Sequence, residues 1–213
     1  MDFVDIAVRF FQSGGLFMYP IVVILVLGLA MSIERLLFLG RAEKGNRQLW
    51  AEVAHDITTN QIKAARDAVD SSHAPLAAVL GFGLERRAAQ AERQDVEMAM
   101  EEAMMEVIPR MERRTPFIFV FANIATLLGL LGTIIGLIQG FTAVANVNPA
   151  EKANLLSASI SVAMNTTAFG LMCAIPLLLA HAYIQARTTE VVDALEMTTV
   201  RFLNLTARHD TGA

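Results

Sequence analysis

The chain has 213 residues, of which 54% are hydrophobic and 18% charged, and its formal net charge is −4 at pH 7. A soluble domain of this length would be about 45–50% apolar, so the composition argues against a water-soluble globular protein. No basic patch suggests nucleic-acid binding. The single cysteine, Cys173, excludes an intrachain disulfide and gives no support to thiol or metal chemistry, so we expect no cofactor and no metal.

The apolar residues are concentrated in three blocks. The first block, 10–33, lies between Arg9 and the pair Glu34-Arg35, whereas the second, 117–145, and the third, 153–186, contain no Asp, Glu, Lys or Arg. Each block exceeds the roughly 20 apolar residues that a helix needs to cross a bilayer. The sequence therefore predicts an all-α, polytopic membrane protein with three transmembrane helices and long cytoplasmic helical extensions.

The predicted segments follow from these blocks and from the breaks between them. Residues 1–12 place Phe3, Ile6 and Phe10 at helical spacing, which indicates an interfacial amphipathic helix. The rest of the chain divides into a first transmembrane helix (13–40), a cytoplasmic helical region (41–115), a second transmembrane helix (116–146), a periplasmic loop (147–154), a third transmembrane helix (155–186), and a cytoplasmic C-terminal helix and tail (187–213).

The distribution of lysine and arginine predicts the orientation in the membrane. The segment before the first span holds only Arg9, and the short loop holds only Lys152. The long connection carries arginines and a lysine close to both of its ends: Arg41, Lys44, Arg47, Arg110, Arg113 and Arg114. The positive-inside rule therefore places this connection and the C-terminus in the cytoplasm, and the N-terminus and the short loop in the periplasm.

The cytoplasmic segments show helical periodicity. A break at residues 71–75 ends in Pro75, which can open a helix. Further on, a stripe with three- or four-residue spacing predicts a helix with one apolar face: Val96, Met100, Ala103, Val107 and Met111. Pro109 should kink this helix. After residue 185 the pattern continues through Val192, Leu195, Thr199 and Phe202, so we expect the third span to extend into the cytoplasm.

The second span carries a threonine face next to a glycine stripe. Thr126 and Thr133 are seven residues apart and share a helical face, with Gly129 close to it. Gly132, Gly136 and Gly140 form a small-xxx-small pattern that permits close helix contact. Tight packing explains the glycines most simply, and a hydrogen bond to a carbonyl of its own helix explains Thr133 most simply.

The third span has a polar cluster on a similar face. Asn165, Thr166 and Thr167 are consecutive, and Thr167 is flanked by Ala163 and Gly170 at helical spacing. Pro176 lies in the middle of the span, where we expect a kink. If the two threonine faces meet around a cavity, their hydroxyls would line a narrow polar passage for an ion. Because threonine does not titrate near neutral pH, a carboxylate would have to come from elsewhere. His181, near the inner end, is more simply a packing residue than a proton relay.

Several of these stretches together resemble the MotA/TolQ/ExbB proton channel family, and within it the three-span ExbB and TolQ branch. The resemblance covers nearly the whole chain. It rests on Ile33-Glu34-Arg35-Leu36, Ala74-Pro75-Leu76, Gly83-Leu84, Leu130-Leu131-Gly132-Thr133-Ile134-Ile135-Gly136, Thr166-Thr167-Ala168-Phe169-Gly170-Leu171 and Ala174-Ile175-Pro176.

The resemblance implies a subunit of the bacterial cytoplasmic (inner) membrane. Such subunits form a pentamer around two copies of a single-span partner like ExbD, TolR or MotB, and the partner supplies a pore aspartate. Ion flow at that aspartate converts the proton motive force into mechanical work on envelope components, in transport or motility. The lipid bilayer is the other partner, and no nucleic acid is involved.

The resemblance also assigns roles to residues. By motif match, Thr133 and Thr167 would face the partner's aspartate. The ion pathway would include Thr166, Asn165 and Thr126 beside them. Helix packing at the pore would involve Gly129, Gly132, Gly136, Gly140, Gly170 and Pro176.

One departure from the family pattern leaves alternatives open. Relatives of the ExbB and TolQ type usually carry a glutamate five residues before the span-three threonine, where this chain has Val162. This subunit would then bring no carboxylate to the pore, as in MotA-like stators. Sodium becomes an alternative to the proton, since hydroxyl and carbonyl oxygens suit a hard cation. A non-conducting scaffold for a partner helix is the other alternative. An enzyme is not expected, because no convincing nucleophile–base set is present.

Overall fold

The structure, a computed structural model, describes residues 14–59, 61–145 and 147–211, with side chains up to residue 207. This part of the chain is helical, which confirms the predicted all-α class. Its helices are α1 (Met18–Thr58), α2 (Ile62–Ser71), α3 (Pro75–Ala88), α4 (Arg93–Glu112), α5 (Thr115–Ala145) and α6 (Pro149–Thr211). The interfacial helix predicted over residues 1–12 lies outside the described residues.

Three helical stretches are long and apolar enough to cross a membrane. They are α1, the stretch Arg93–Ala145 that includes α5, and the part of α6 up to Ala207. This finding confirms the three predicted spans as candidates. The segment boundaries predicted above stay predictions, since helix ends alone do not define where the bilayer begins. α6 continues without interruption through Pro176 to Thr211.

The chain forms two compact units, and the first contains the apolar parts of the three long helices. It comprises the described residues up to Ile33 together with Thr115–Tyr183. Ile21, Ile118 and Leu177 are fully buried in it. α1 packs closely on α6 at Gly28, where an added Cβ would lie only 2.7 Å from Cδ2 of Leu177. The absence of a side chain at Gly28 therefore permits this helix spacing.

Large apolar side chains also cover the outer surface of the first unit. They include Leu127, Ile138, Phe141 and Leu179, with exposed fractions of 58–67%. Apolar side chains at this density on the outside of helices are typical of proteins that face lipid or neighbouring membrane helices.

The second unit is a helical bundle with a conventional buried core. It comprises Glu34–Arg114 together with the chain from Ile184 onward. The five apolar residues predicted to form one face of α4, from Val96 to Met111, are all buried. From α6, Leu195, Thr199 and Phe202 are buried as well, but the stripe includes Val191 rather than Val192.

Local sequence explains where the short helices begin and end. α3 starts with Pro75, and the side-chain oxygen of Asn46 accepts a hydrogen bond from the Leu76 amide at 3.0 Å. This bond satisfies one of the free amides at the helix start. α3 ends where Gln90 takes a positive φ of 55°. The amide of the next residue bonds to the carbonyl of Arg86 at 3.1 Å, as in a Schellman motif.

Candidate ion site

The candidate site lies where α5 and α6 make their closest approach within the first unit. A Cβ added at Gly170 would lie 2.7 Å from the carbonyl oxygen of Ala125 and 3.0 Å from Cα of Gly129. A Cβ added at Gly129 would lie 3.3 Å from Cα of both Gly170 and Thr167. No larger residue fits at Gly170 unless the helices move apart. The two glycines thus allow the backbones to touch, and they bring together Thr133, which follows Gly129 by four residues, and Thr167, which precedes Gly170 by three.

The hydroxyls of Thr133 and Thr167 hydrogen-bond to each other across this contact. Thr167 Oγ1 also lies 3.0 Å from the carbonyl oxygen of Gly129. Thr133 Oγ1 lies 3.2 Å from the same carbonyl and 3.3 Å from the carbonyl of Ala163. Four oxygens therefore converge, and both threonine side chains are half-buried.

The four oxygens of this cluster can accept more hydrogen bonds than the two hydroxyl protons can provide. Each hydroxyl carries one proton and two lone pairs, whereas carbonyl oxygens only accept. Two protons must therefore serve all the donor–acceptor pairs within reach, and the hydroxyls can exchange partners by rotation. A cluster of this kind can accept a hydrogen bond from a third group, or coordinate a cation, without breaking its backbone structure.

Two of the other predicted pathway residues, Thr126 and Thr166, direct their hydroxyls to carbonyls outside this cluster. The hydroxyl of Thr126 is within hydrogen-bonding distance, 3.2 Å, of the Ala122 carbonyl in its own helix. Thr166 is buried, and its hydroxyl reaches the Gly14 carbonyl at 2.5 Å. Asn165 is half-buried. Thr166 therefore ties the turn that precedes α1 to α6, which is a structural role that the sequence did not indicate.

The glycine stripe of α5 faces α6. A Cβ at Gly132 would lie 2.4 Å from Cγ2 of Thr166, and one at Gly136 would lie 3.0 Å from Cβ of Ala163. At Gly140 the nearest atom would be Cβ of Ser159, at 2.6 Å. These glycines therefore serve the contact between two helices of one chain. Pro176, in contrast, is exposed.

Val162 occupies the position of the expected glutamate and is half-buried. A Cβ added at Gly15, which has a positive φ of 76°, would lie 3.3 Å from Cγ1 of Val162. Here an apolar side chain packs beside the turn that leads into α1. His181 is half-buried too, and its ring centroid lies 5.5 Å from that of Phe119, as expected of a packing residue.

Sequence reasoning expected a carbonyl of its own helix beside Thr133, but it did not foresee that the carbonyls of Gly129 and Ala163 would both face the hydroxyl pair. Gly129 and Ala163 each lie four residues before one of the two threonines. In a helix, a small residue at this spacing leaves its carbonyl open to the hydroxyl one turn later and to the neighbouring helix. The spacing of small residues and threonines would have been the signal.

The fold and the site define a multi-pass helical membrane protein with a polar contact between two uncharged spans. Comparison with known proteins gives the family. Residues 71–197 match the MotA/TolQ/ExbB proton channel family, and the chain belongs to it. This confirms the resemblance inferred from the motifs. The family is one of channels, so the expectation that the chain is not an enzyme is confirmed as well.

The similar proteins carry ExbB and TolQ names. An ExbB homologue of biopolymer transport from Methanothermobacter thermautotrophicus is 27% identical over 199 residues, which cover 92% of this chain and 69% of that protein. An ExbB-like protein from Synechocystis is 29% identical over 188 residues, with coverage of 86% and 72%. The Tol-Pal system protein TolQ of Haemophilus influenzae is 31% identical over 93 residues, with coverage of 44% and 40%.

Proposed function

We propose that this chain is the channel-forming stator subunit of an ion-driven motor. With a single-span partner of the ExbD or TolR type, it converts the proton motive force into mechanical work on envelope components. The observation that carries the proposal is the pair of hydroxyls on Thr133 and Thr167. They meet two carbonyl oxygens between two spans that hold no charged residue.

The proposal divides the chemistry between two proteins. The partner supplies the aspartate that takes up and releases the ion, because Val162 leaves this chain without an acid at the family's usual position. Thr133 and Thr167 supply rotatable hydroxyls that hydrogen-bond to that aspartate and to water. Moving one charge through 100 mV releases about 2.3 kcal/mol, enough to bias the partner between two positions.

The assembly and the orientation are part of the same proposal. The chain forms a pentamer around the partner in the inner membrane of a bacterium, with its N-terminus in the periplasm and its C-terminus in the cytoplasm. The exposed apolar side chains of the first unit support burial against lipid and neighbouring copies. Labelling of single cysteines placed at 148 and at 208, in a Cys173→Ser background, tests the orientation from either side of the membrane.

Sodium coupling is a second candidate, favoured by the composition of the four-oxygen cluster. Two hydroxyl and two carbonyl oxygens form a neutral, hard ligand set that suits a metal cation. A carboxylate from the partner would supply the negative charge that balances the bound cation. A scaffold that conducts nothing is the third candidate. It is favoured by the fact that both hydroxyls already have acceptors within the chain.

The test is ion flux in proteoliposomes that contain the chain and its single-span partner. Thr133→Val and Thr167→Val remove one hydroxyl each and should reduce proton flux roughly tenfold or more, since losing a polar group from a buried network costs about 1–3 kcal/mol. Thr133→Ser keeps the hydroxyl and should retain most of the flux. Thr142→Val is the matched control, because Thr142 is exposed on the same helix and its hydroxyl lies 2.8 Å from the Ile138 carbonyl of that helix.

The outcomes separate the three candidates. Flux that is lost in both valine variants with normal assembly supports the channel. Proton flux that needs no sodium rules out strict sodium coupling. If both valine variants assemble and work like the wild type, the threonines do not form the pathway, and the scaffold is the better description.

A further inference from the structure

We propose that the second unit binds the phosphate group of an anionic phospholipid. The site is a cleft of about 570 Å³ between α1, the start of α3 and the end of α4. Its polar lining consists mainly of Glu34, Arg35, His73, Arg110, Arg113 and Arg114. This site is independent of the ion pathway, because all of its residues belong to the second unit.

The charge of the cleft is unbalanced. Four arginines line it against a single glutamate, Glu34. That glutamate is engaged by Arg114 at 3.0 Å, and Arg110 pairs with Glu106 outside the lining. Arg113 has no ion-pair partner among the described residues. The cleft therefore keeps positive charge that an anion could neutralise.

Arg35 gives a second and independent indication that the cleft binds an anion. Its side chain is only 3% exposed, and one guanidinium nitrogen donates to the Met111 carbonyl. The guanidinium carbon lies 4.7 Å from the ring centroid of Phe38, whereas Nε has no hydrogen-bond partner in the described part of the chain. A buried guanidinium stays charged, and the neighbouring carboxylate, Glu34, is shared with Arg114. A phosphate oxygen in the cleft would supply an acceptor for Nε and further negative charge.

The position of the cleft in the sequence favours a lipid over a soluble phosphate. Glu34 and Arg35 directly follow the apolar stretch of α1, and Arg113 and Arg114 directly precede α5. These residues therefore belong at headgroup depth, where basic pockets beside membrane helices bind anionic lipids. Apolar side chains complete the lining, namely Phe38, Val107 and Met111. They offer a surface to the glycerol and the upper acyl chain that inorganic phosphate could not use.

The experiment measures lipid binding to the purified full chain by native mass spectrometry. The detergent-solubilised protein is titrated with phosphatidylglycerol, with phosphatidylcholine and with inorganic phosphate. Arg113→Gln and the double variant Arg113→Gln/Arg114→Gln remove charge from the rim of the cleft. Arg86→Gln makes the same change on an exposed part of α3 outside the lining.

We expect phosphatidylglycerol to bind more tightly than phosphatidylcholine. Its affinity should fall about fivefold for each arginine removed, as for basic side chains near a membrane surface, and Arg86→Gln should leave it unchanged. Equal binding of the two lipids, or an equal loss in Arg86→Gln, would overturn the proposal. Full competition by inorganic phosphate would overturn the lipid as the source and assign the cleft to a soluble phosphate.

Discussion

The contact at Gly170 makes the sharpest structural prediction, because a single methyl group should disturb both helix packing and the hydroxyl pair. In Gly170→Ala the new Cβ would lie 2.7 Å from the Ala125 carbonyl oxygen. An ordinary contact needs about 3.4 Å, so α5 and α6 must separate by about 0.7 Å at this point, a gap that already costs neighbouring atoms much of their dispersion energy.

The same displacement acts on the threonines. The distance from Thr167 Oγ1 to the Gly129 carbonyl is 3.0 Å. It would rise to about 3.7 Å if the whole movement followed that direction, which is beyond hydrogen-bonding range. We expect Gly170→Ala to lower the free energy of unfolding by about 1–3 kcal/mol, as overpacked cores do, and to reduce ion flux.

The assay combines thermal unfolding in detergent with flux in proteoliposomes. Gly40→Ala is the control, because Gly40 is also helical and a Cβ there would meet no atom within 4 Å. That variant should be neutral or more stable by up to about 1 kcal/mol. The reasoning is refuted if Gly170→Ala unfolds and conducts like the wild type, or if Gly40→Ala loses as much stability.

Three further predictions concern the two units separately. Asn46→Ala removes the acceptor for the Leu76 amide and should cost about 1 kcal/mol in chemical unfolding, whereas Asn46→Asp keeps the oxygen and should recover most of it. Thr166→Val removes the hydrogen bond to the Gly14 carbonyl and should lower the free energy of unfolding by about 0.6 kcal/mol. Amide hydrogen exchange at residues 14–18 should accelerate, and an unchanged exchange rate would show that this bond does not hold the turn in place. Phe202→Ala empties a fully buried site and should lower the free energy of unfolding of the second unit by about 3–5 kcal/mol, measured by the denaturation midpoint.

Much of the fold could be predicted from the sequence because the length of an apolar block and the spacing of apolar residues are both visible in a short stretch of chain. Uncharged apolar blocks of this length permit little besides membrane helices, and the periodic stripe from Val96 to Met111 is buried as predicted. The end of α3 could not be predicted in this way. Gln90 takes a left-handed conformation where glycine would be the usual signal. The helix start at Pro75 was visible, but its partner Asn46 lies 30 residues away.

The candidate site was predictable only in part, because some of its contacts join residues that are far apart in the sequence. The small residues around Thr133 and Thr167 predicted two faces able to touch, and the structure brings these two threonines together. Periodicity placed Thr167 on the small-residue face and Thr166 about 100° away from it, but it could not identify the partner of the Thr166 hydroxyl. Thr166 bonds to Gly14, more than 150 positions earlier in the chain.

Packing and chemistry are therefore not competing explanations for the glycines of α5. Glycine in a helix interior is unfavourable by about 1 kcal/mol relative to alanine, and a buried hydroxyl without a partner is unfavourable as well. At Gly129 and Gly170 the first cost removes the second, because the absence of side chains brings the hydroxyl of each helix to a carbonyl of the other. Thr133 and Thr167 can meet only where the backbones touch. A substitution that fills the glycine contact should therefore disturb the hydroxyl pair even when both threonines are kept.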